Sequence, residues 1–197
     1  MRTPNRKKIY YWTEFAFLMF GFLCLGWVGY EWVRTQLYQR EENTSLEQSL
    51  KREGRTERQP LDPSIVGRIE IPRLNLTAMV REGVDGETLG LAVGHVPYSA
   101  LPGHAGNVAV AAHRDTFFRP VRGIRKGDLI RMVTESGTFE YEVESTKVVM
   151  PSNVEVLNAT AERSITLVTC YPFNYVGAAP KRFIVRARQI SATHPEA

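Results

Sequence analysis

The sequence predicts an all-β domain of about eight short strands, a barrel or a sandwich, carried behind a single membrane-spanning helix. Three observations predict it. One uninterrupted apolar run, Phe15–Tyr30, lies near the N-terminus. From Ser64 to Ile190, apolar and polar residues alternate in short segments broken by proline and glycine. Between them, Glu31 to Gln59 is strongly charged and too poor in large apolar side chains to make a core of its own.

The elements follow in chain order. Residues 1–8 form a basic cytoplasmic tail in which Arg2, Arg6, Lys7 and Lys8 meet no acid. Removing these four from the 25 basic residues leaves 21, equal to the 21 acidic ones. The net charge of +4 and the pI near 9.2 therefore describe the tail, and no basic face for nucleic acid is required. Residues 9–30 carry one charged side chain, Glu14. As helix they span roughly 33 Å, enough for a hydrocarbon core of about 30 Å. Tyr10, Tyr11 and Trp12 at one end, and Trp27, Tyr30 and Trp32 at the other, suit the two interfaces. The text Gly26-Trp27-Val28-Gly29-Tyr30 has no small-x-small cleavage site, which favours a retained anchor over a cleaved signal peptide. The expectation is a single-pass protein of the cell membrane, N-terminus cytoplasmic, with everything after residue 30 outside.

Residues 31–63 read as a charged extracytoplasmic stalk, part helix and part flexible, ending at Pro60 and Pro63. Leu37, Leu46 and Leu50 mark a thin helical stripe, and no heptad pattern is sustained. The domain proper is expected at 64–190. Ile65–Ile71 alternates until Pro72, and Leu74, Leu76, Ala78 and Val80 continue on one face. Glu87–Leu91 allows a short helix. His95–Gly106 is loop by composition, so His95 and His104 read as surface or turn histidines. Asn107–Ala112, Leu129–Thr134, Thr138–Val149, the segment from Ile165 to Cys170 and Arg182–Gln189 complete the strands. A polar tail, 191–197, carries His194.

Cys24 falls in the membrane run, which leaves Cys170 alone in the exported domain. Such a cysteine is an intermolecular link, a buried small hydrophobe or a working thiol. Its place favours work: Tyr171-Pro172 stops the strand, and Gly177 and Pro180 mark a loop that opens onto solvent. His113, at the end of the strand Val108–Ala112, is compatible with a Cys/His pair, although spacing alone leaves this open. Arg182 starts the strand after the cysteine loop and has opposite parity to Phe183 and Val185, so it faces away from the core those two fill. There a guanidinium can stabilise a thiolate, orient a peptide or hold an oxyanion. Arg186 and Arg188 share its parity and read as solvated.

These motifs together resemble the sortase family. Its pattern is Thr-Leu-x-Thr-Cys on one strand, an arginine on the next and a histidine ahead of both. Here the matching text is TLVTC at 166–170, Arg182, and AAHRDTFF at 111–118. CYPFNYVGAAPKRFIV at 170–185, GHVPYSALPG at 94–103 and KGD at 126–128 are similar to the class D branch. One departure is Ala112, where sortases of this type commonly have glycine. The resemblance implies a closed eight-stranded β-barrel with short helices and a groove on its wall. It implies Cys170 as nucleophile, His113 as acid/base and Arg182 as transition-state or substrate-positioning residue. Thr169, Ala112, Tyr171 and Pro172, next to these in the motifs, become candidate substrate-binding residues.

The implied substrates are secreted proteins with a C-terminal sorting signal similar to Leu-Pro-x-Thr-Gly or Leu-Pro-x-Thr-Ala. The implied acceptor is an amine of peptidoglycan or of another protein's lysine. Attack needs a thiolate and departure of the tail needs an imidazolium. A free cysteine and a free histidine hold that state together only about 1% of the time at pH 7. The expectation is that His113 acts chiefly as an acid. No cofactor is expected, and one exported cysteine with scattered histidines gives no ligand spacing for a metal. A membrane-tethered binding scaffold without catalysis, and a hydrolase that cleaves the signal without transfer, are the alternatives.

Overall fold

The computed structural model describes residues 6–51 and 62–193, with side chains described at 10–50 and 62–193. Residues 1–5 of the expected basic tail, 52–61 of the expected stalk, and His194 with the rest of the C-terminal tail lie outside the described residues. The chain divides into two compact units, one ending at Tyr38 and the other beginning at Gln39.

The first unit is helix. Element α1 runs unbroken over Arg6–Lys51, so it continues through most of the segment read as stalk. The reason is local: Glu31 to Glu53 contains neither proline nor glycine and is rich in Leu, Glu, Gln and Arg. By length and composition it holds a helix able to cross a membrane. Phe15, Phe17, Leu23, Trp27 and Tyr30 are exposed along it.

The second unit begins with the last turns of α1 and continues as the barrel. Strands β1 (Ile65–Ile71), β2 (Leu76–Glu82), β3 (Val93–His95), β4 (Asn107–Ala111), β5 (Leu129–Thr134), β6 (Gly137–Val149), β7 (Ser164–Tyr171) and β8 (Lys181–Thr193) close in the order β1-β2-β3-β4-β7-β8-β6-β5. The strand period sends alternate residues inward. Ile69, Val110, Met132, Phe139, Leu167 and Val185 fill the interior from six of the strands. Gly67 sits at a bulge in β1 with φ +152, where an added Cβ would meet the Val133 carbonyl oxygen at 2.3 Å. Only glycine fits there. The helical signal at Glu87–Leu91 is α2 (Gly86–Leu91), capped by Asp85, whose side chain accepts from the Glu87 and Thr88 amides.

Of the thin leucine stripe of α1, Leu37 is exposed and Leu50 half-buried. Leu46 is fully buried. The Gln39 amide donates to the Leu91 carbonyl at 2.7 Å and accepts from the Met79 N–H at 2.8 Å. Arg68 of β1 bonds Asn43 and reaches Glu47 at 3.4 Å.

His95 departs from the sequence reading. It closes β3 and is 2% exposed, with Nδ1 2.6 Å from Glu82 and Nε2 2.9 Å from the Ser99 hydroxyl. A strand of three residues is too short to show alternation, so composition alone suggested loop.

Candidate active site

Two pairings decide what meets on the barrel wall. β4 and β7 run parallel, so both finish at the same barrel end. β8 is antiparallel to β7 and therefore starts at that end. The apolar stretch Val108–Val110 and the run Ile165–Leu167 make these strands buried neighbours, and burial fixes their register. In β7–β8 the partner of Cys170 is Arg182. Directly opposed residues share a face. Thr169 pairs with Phe183 and Leu167 with Val185 on the inner face, which leaves Cys170 and Arg182 together on the outer one.

His113 reaches the same place by register. Every β4–β7 pair, from Asn107↔Ser164 to Ala111↔Val168, keeps an offset of 57 residues. The Ala112 N–H donates to the Val168 carbonyl at 3.2 Å, and the Thr169 hydroxyl donates to the Ala112 carbonyl at 2.8 Å. His113 and Cys170 stand at that same offset, one residue past the last bond. Val108, Val110 and Ala112 face the core, so His113 has the outward parity of Ala109 and Ala111. The small side chains of those two alanines keep the wall low beside Val168 and Thr166.

Exposure follows this layout. His113 is exposed, and Cys170 and Arg182 are half-buried. Cys170 is a free thiol, as is the exposed Cys24. Arg182 Nη1 donates to the Ala179 and Lys181 carbonyls at 3.2 and 3.0 Å, which orients the guanidinium at the mouth of the β7–β8 loop. Of the four candidate substrate contacts, Ala112 and Thr169 are 6% and 3% exposed and joined to each other. Tyr171 and Pro172 are half-buried and joined by a cis peptide bond. Tyr171, Phe173 and Phe183 form a ring cluster with centroids 5.3–6.3 Å apart.

Three anchors that the sequence reading left as ordinary polar residues frame the wall. Asn107 is buried and accepts from the Thr166 hydroxyl at 2.7 Å. Arg186, read as solvated, instead donates to the Val156 carbonyl at 3.1 Å and to the Ser164 hydroxyl at 3.3 Å, and burial pushes its pKa down. It thereby ties the short 3-10 turn Val154–Leu157 of the β6–β7 connection to the outer face of β7 and β8. The third anchor is Arg114, whose guanidinium gathers main-chain carbonyls of the β7–β8 loop. A polar residue opening an apolar strand was a signal for Asn107; Arg114 had none beyond standing next to His113.

Among the described residues no cluster of three His, Cys, Asp or Glu side chains could hold a metal ion. A broad open cleft bordered by Glu162, Arg163, Arg188 and Ser191 lies at the other end of the β7–β8 pair from Cys170. What the Cys170 wall offers is a thiol, an imidazole and a guanidinium on one outward face, none of them sealed from solvent.

Comparisons with known proteins point to one family. A family model described as Sortase domain matches residues 69–190. The chain is 31% identical over 193 residues to Sortase D of Bacillus subtilis (strain 168), covering 87% of this chain and 94% of that one. It is similar in structure to a Clostridium perfringens Sortase D5 transpeptidase, with a TM-score of 0.64 and 26% identity over 79% of this chain and 98% of that one. Listeria monocytogenes sortase A is also similar, with a TM-score of 0.61 and 25% identity over 68% of this chain and 92% of that one.

Proposed function

The chain belongs to the sortase family of cysteine transpeptidases, and from that premise we propose that it is a membrane-anchored class D enzyme acting on C-terminal sorting signals. The signal resembles Leu-Pro-x-Thr-Gly or Leu-Pro-x-Thr-Ala, and Cys170, His113 and Arg182 carry the chemistry. The observation that supports this reading most is the shared register: Cys170 faces Arg182 across β7–β8, and the β4–β7 offset carried forward brings His113 level with Cys170.

The Cys170 thiolate attacks the threonine carbonyl carbon, and its electron pair moves onto the carbonyl oxygen. The Arg182 guanidinium faces that oxyanion with a charge that ordinary pH does not remove. Collapse breaks the C–N bond, and the His113 imidazolium gives its proton to the departing amine. A thioester then joins Cys170 to the protein. An acceptor amine attacks it, passes a proton to His113 and releases the thiolate. Tyr171 and Pro172 border the channel for the signal. Ala112 and Thr169 act from inside the wall by holding β4 to β7.

Residues 9–30 anchor the protein in the cell membrane, and residues 1–8 keep the N-terminus in the cytoplasm, with the barrel outside. The test incubates the full chain in detergent with a panel of Leu-Pro-x-Thr-x peptides. Intact mass is expected to show the mass of the acyl fragment added to Cys170, absent in Cys170→Ala. Added amines are expected to convert the adduct into an amide product. An unmodified Cys170 across the whole panel refutes the reading, and free carboxylate as sole product in abundant amine points to a hydrolase.

A further inference from the structure

Arg114 stands next to His113 in the turn after β4, and among the described residues its side-chain hydrogen bonds reach the loop that follows Cys170. Its Nη1 donates to the Pro172 carbonyl at 3.1 Å, and its Nη2 donates to the Tyr175 carbonyl at 2.6 Å and the Gly177 carbonyl at 3.0 Å. The guanidinium carbon also lies 5.9 Å from the centre of the Tyr175 ring. We propose that Arg114 is a positioning residue for the transfer reaction, fixing the segment that carries His113 to the loop that joins Cys170 to Arg182. The proposal rests on the assignment of those three residues in the preceding subsection.

The backbone around His113 explains why such a tie matters. On the N-terminal side, Ala112 is held to β7 by its N–H and its carbonyl. The carbonyl of His113 accepts from the N–H of Phe118, which is fully buried. The C-terminal side has no strand partner, and Arg114 supplies the link instead. His113 is thus bracketed by two ties to the same partner segment, one just before Cys170 and one just after it.

The loop needs the tie from its own side as well. From Asn174 to Ala178 every side chain is exposed, Val176 to 95%, so burial does little to hold the loop. All three acceptors are main-chain carbonyls. A planar fork of N–H donors can meet three of them at once, which a lysine ammonium on a flexible stem does less well. Because the loop begins beside Cys170 and ends at Arg182, its slack would spread to both.

The full chain in detergent, acylated by the peptide panel, tests this. Arg114→Ala is expected to lower the rate of Cys170 acylation by roughly tenfold to a hundredfold, because a misplacement of about 1 Å costs that much. KM is expected to stay within about twofold, since the clamp touches no substrate. Arg114→Lys should recover part of the loss, and Arg122→Ala, an exposed arginine elsewhere, none of it being lost, should match the wild type. Hydrogen exchange should quicken at 173–179 in Arg114→Ala while β7 and β8 keep their protection. An acylation rate unchanged in Arg114→Ala, a rise in KM alone, or exchange quickened throughout the barrel would each overturn the proposal. A wild-type chain that forms no adduct refutes the assignment of Cys170 and this inference with it; a wild-type chain that acylates no faster than Arg114→Ala refutes this inference alone.

Discussion

Ala112 carries the one methyl group that sets this chain apart from the glycine commonly found before the sortase histidine. The methyl is 6% exposed and belongs to the barrel core, so it faces inward, away from Cys170 and Arg182. Positive φ among the non-glycine residues described is confined to Asn75 and Tyr98, and alanine is therefore unstrained at this position. Ala112→Gly is expected to lower stability by about 1 kcal/mol, from lost burial and added backbone freedom. Peptide acylation should change little, and urea unfolding beside a rate assay checks both. A more active variant of unchanged stability would move the methyl into the channel. Tyr141 makes a second prediction at this scale. It is 1% exposed, and burial pushes its hydroxyl up to about 12, only partly offset by a main-chain hydrogen bond from Gly103. An acid whose pKa is raised on folding contributes stability that is whole below pH 10 and is lost as pH climbs from 10 to about 12. Two pKa steps correspond to roughly 3 kcal/mol. The stability advantage of the wild type over Tyr141→Phe should therefore shrink by about 2 kcal/mol of that between pH 8 and pH 11.5. Urea midpoints that keep the same gap at both pH values would contradict it.

At the scale of elements, the site is a consequence of how three strands pair. Parallel β4–β7 pairing brings two strand ends together, and the Thr169 hydroxyl on the Ala112 carbonyl is the last bond of that pairing before His113. Thr169→Val keeps the branched shape and leaves a buried carbonyl unpaired, at a cost of about 1–3 kcal/mol. Because the bond precedes His113, acylation should slow more than the stability loss alone accounts for at a temperature where the variant is folded. Equal rates for variant and wild type would show that the register survives without it. Alternation made most of these strands legible in the sequence: Ile165, Leu167 and Thr169 have one parity, and Phe139, Tyr141 and Val143 point inward from β6. Turn residues marked their ends. The motif at 166–170 and the histidine and arginine at strand ends pointed to the candidate site. β3 escaped notice because three residues cannot show a period, and His95 went with it. The carbonyl partners of Arg114 and Arg186 were hidden for another reason. Main-chain acceptors belong to every residue, so which ones a guanidinium meets depends on loop geometry and leaves no trace in residue type.

For the whole molecule, an apolar helix held in a membrane as proposed would turn peptide binding into a matter of confinement. His113 is exposed and Cys170 and Arg182 are only half-buried, and a surface so open gains little affinity from burial alone. A substrate with an apolar segment behind the sorting signal would share one bilayer with the enzyme. Confinement raises the effective concentration of the signal at Cys170 without any new contact, by a factor that tethering can carry to about 10²–10⁴. In proteoliposomes holding the full chain, a signal peptide with an apolar tail should therefore acylate Cys170 far faster than the same signal without the tail at equal total concentration. The advantage should vanish when both are assayed in excess detergent, where the shared surface is diluted away. Replacing residues 1–38 with a soluble tag should likewise remove it while leaving the reaction with the tail-less peptide intact, because the barrel unit begins at Gln39. Equal rates for tailed and tail-less signals in the liposome would mean that the helix only retains the enzyme and takes no part in delivering its substrate.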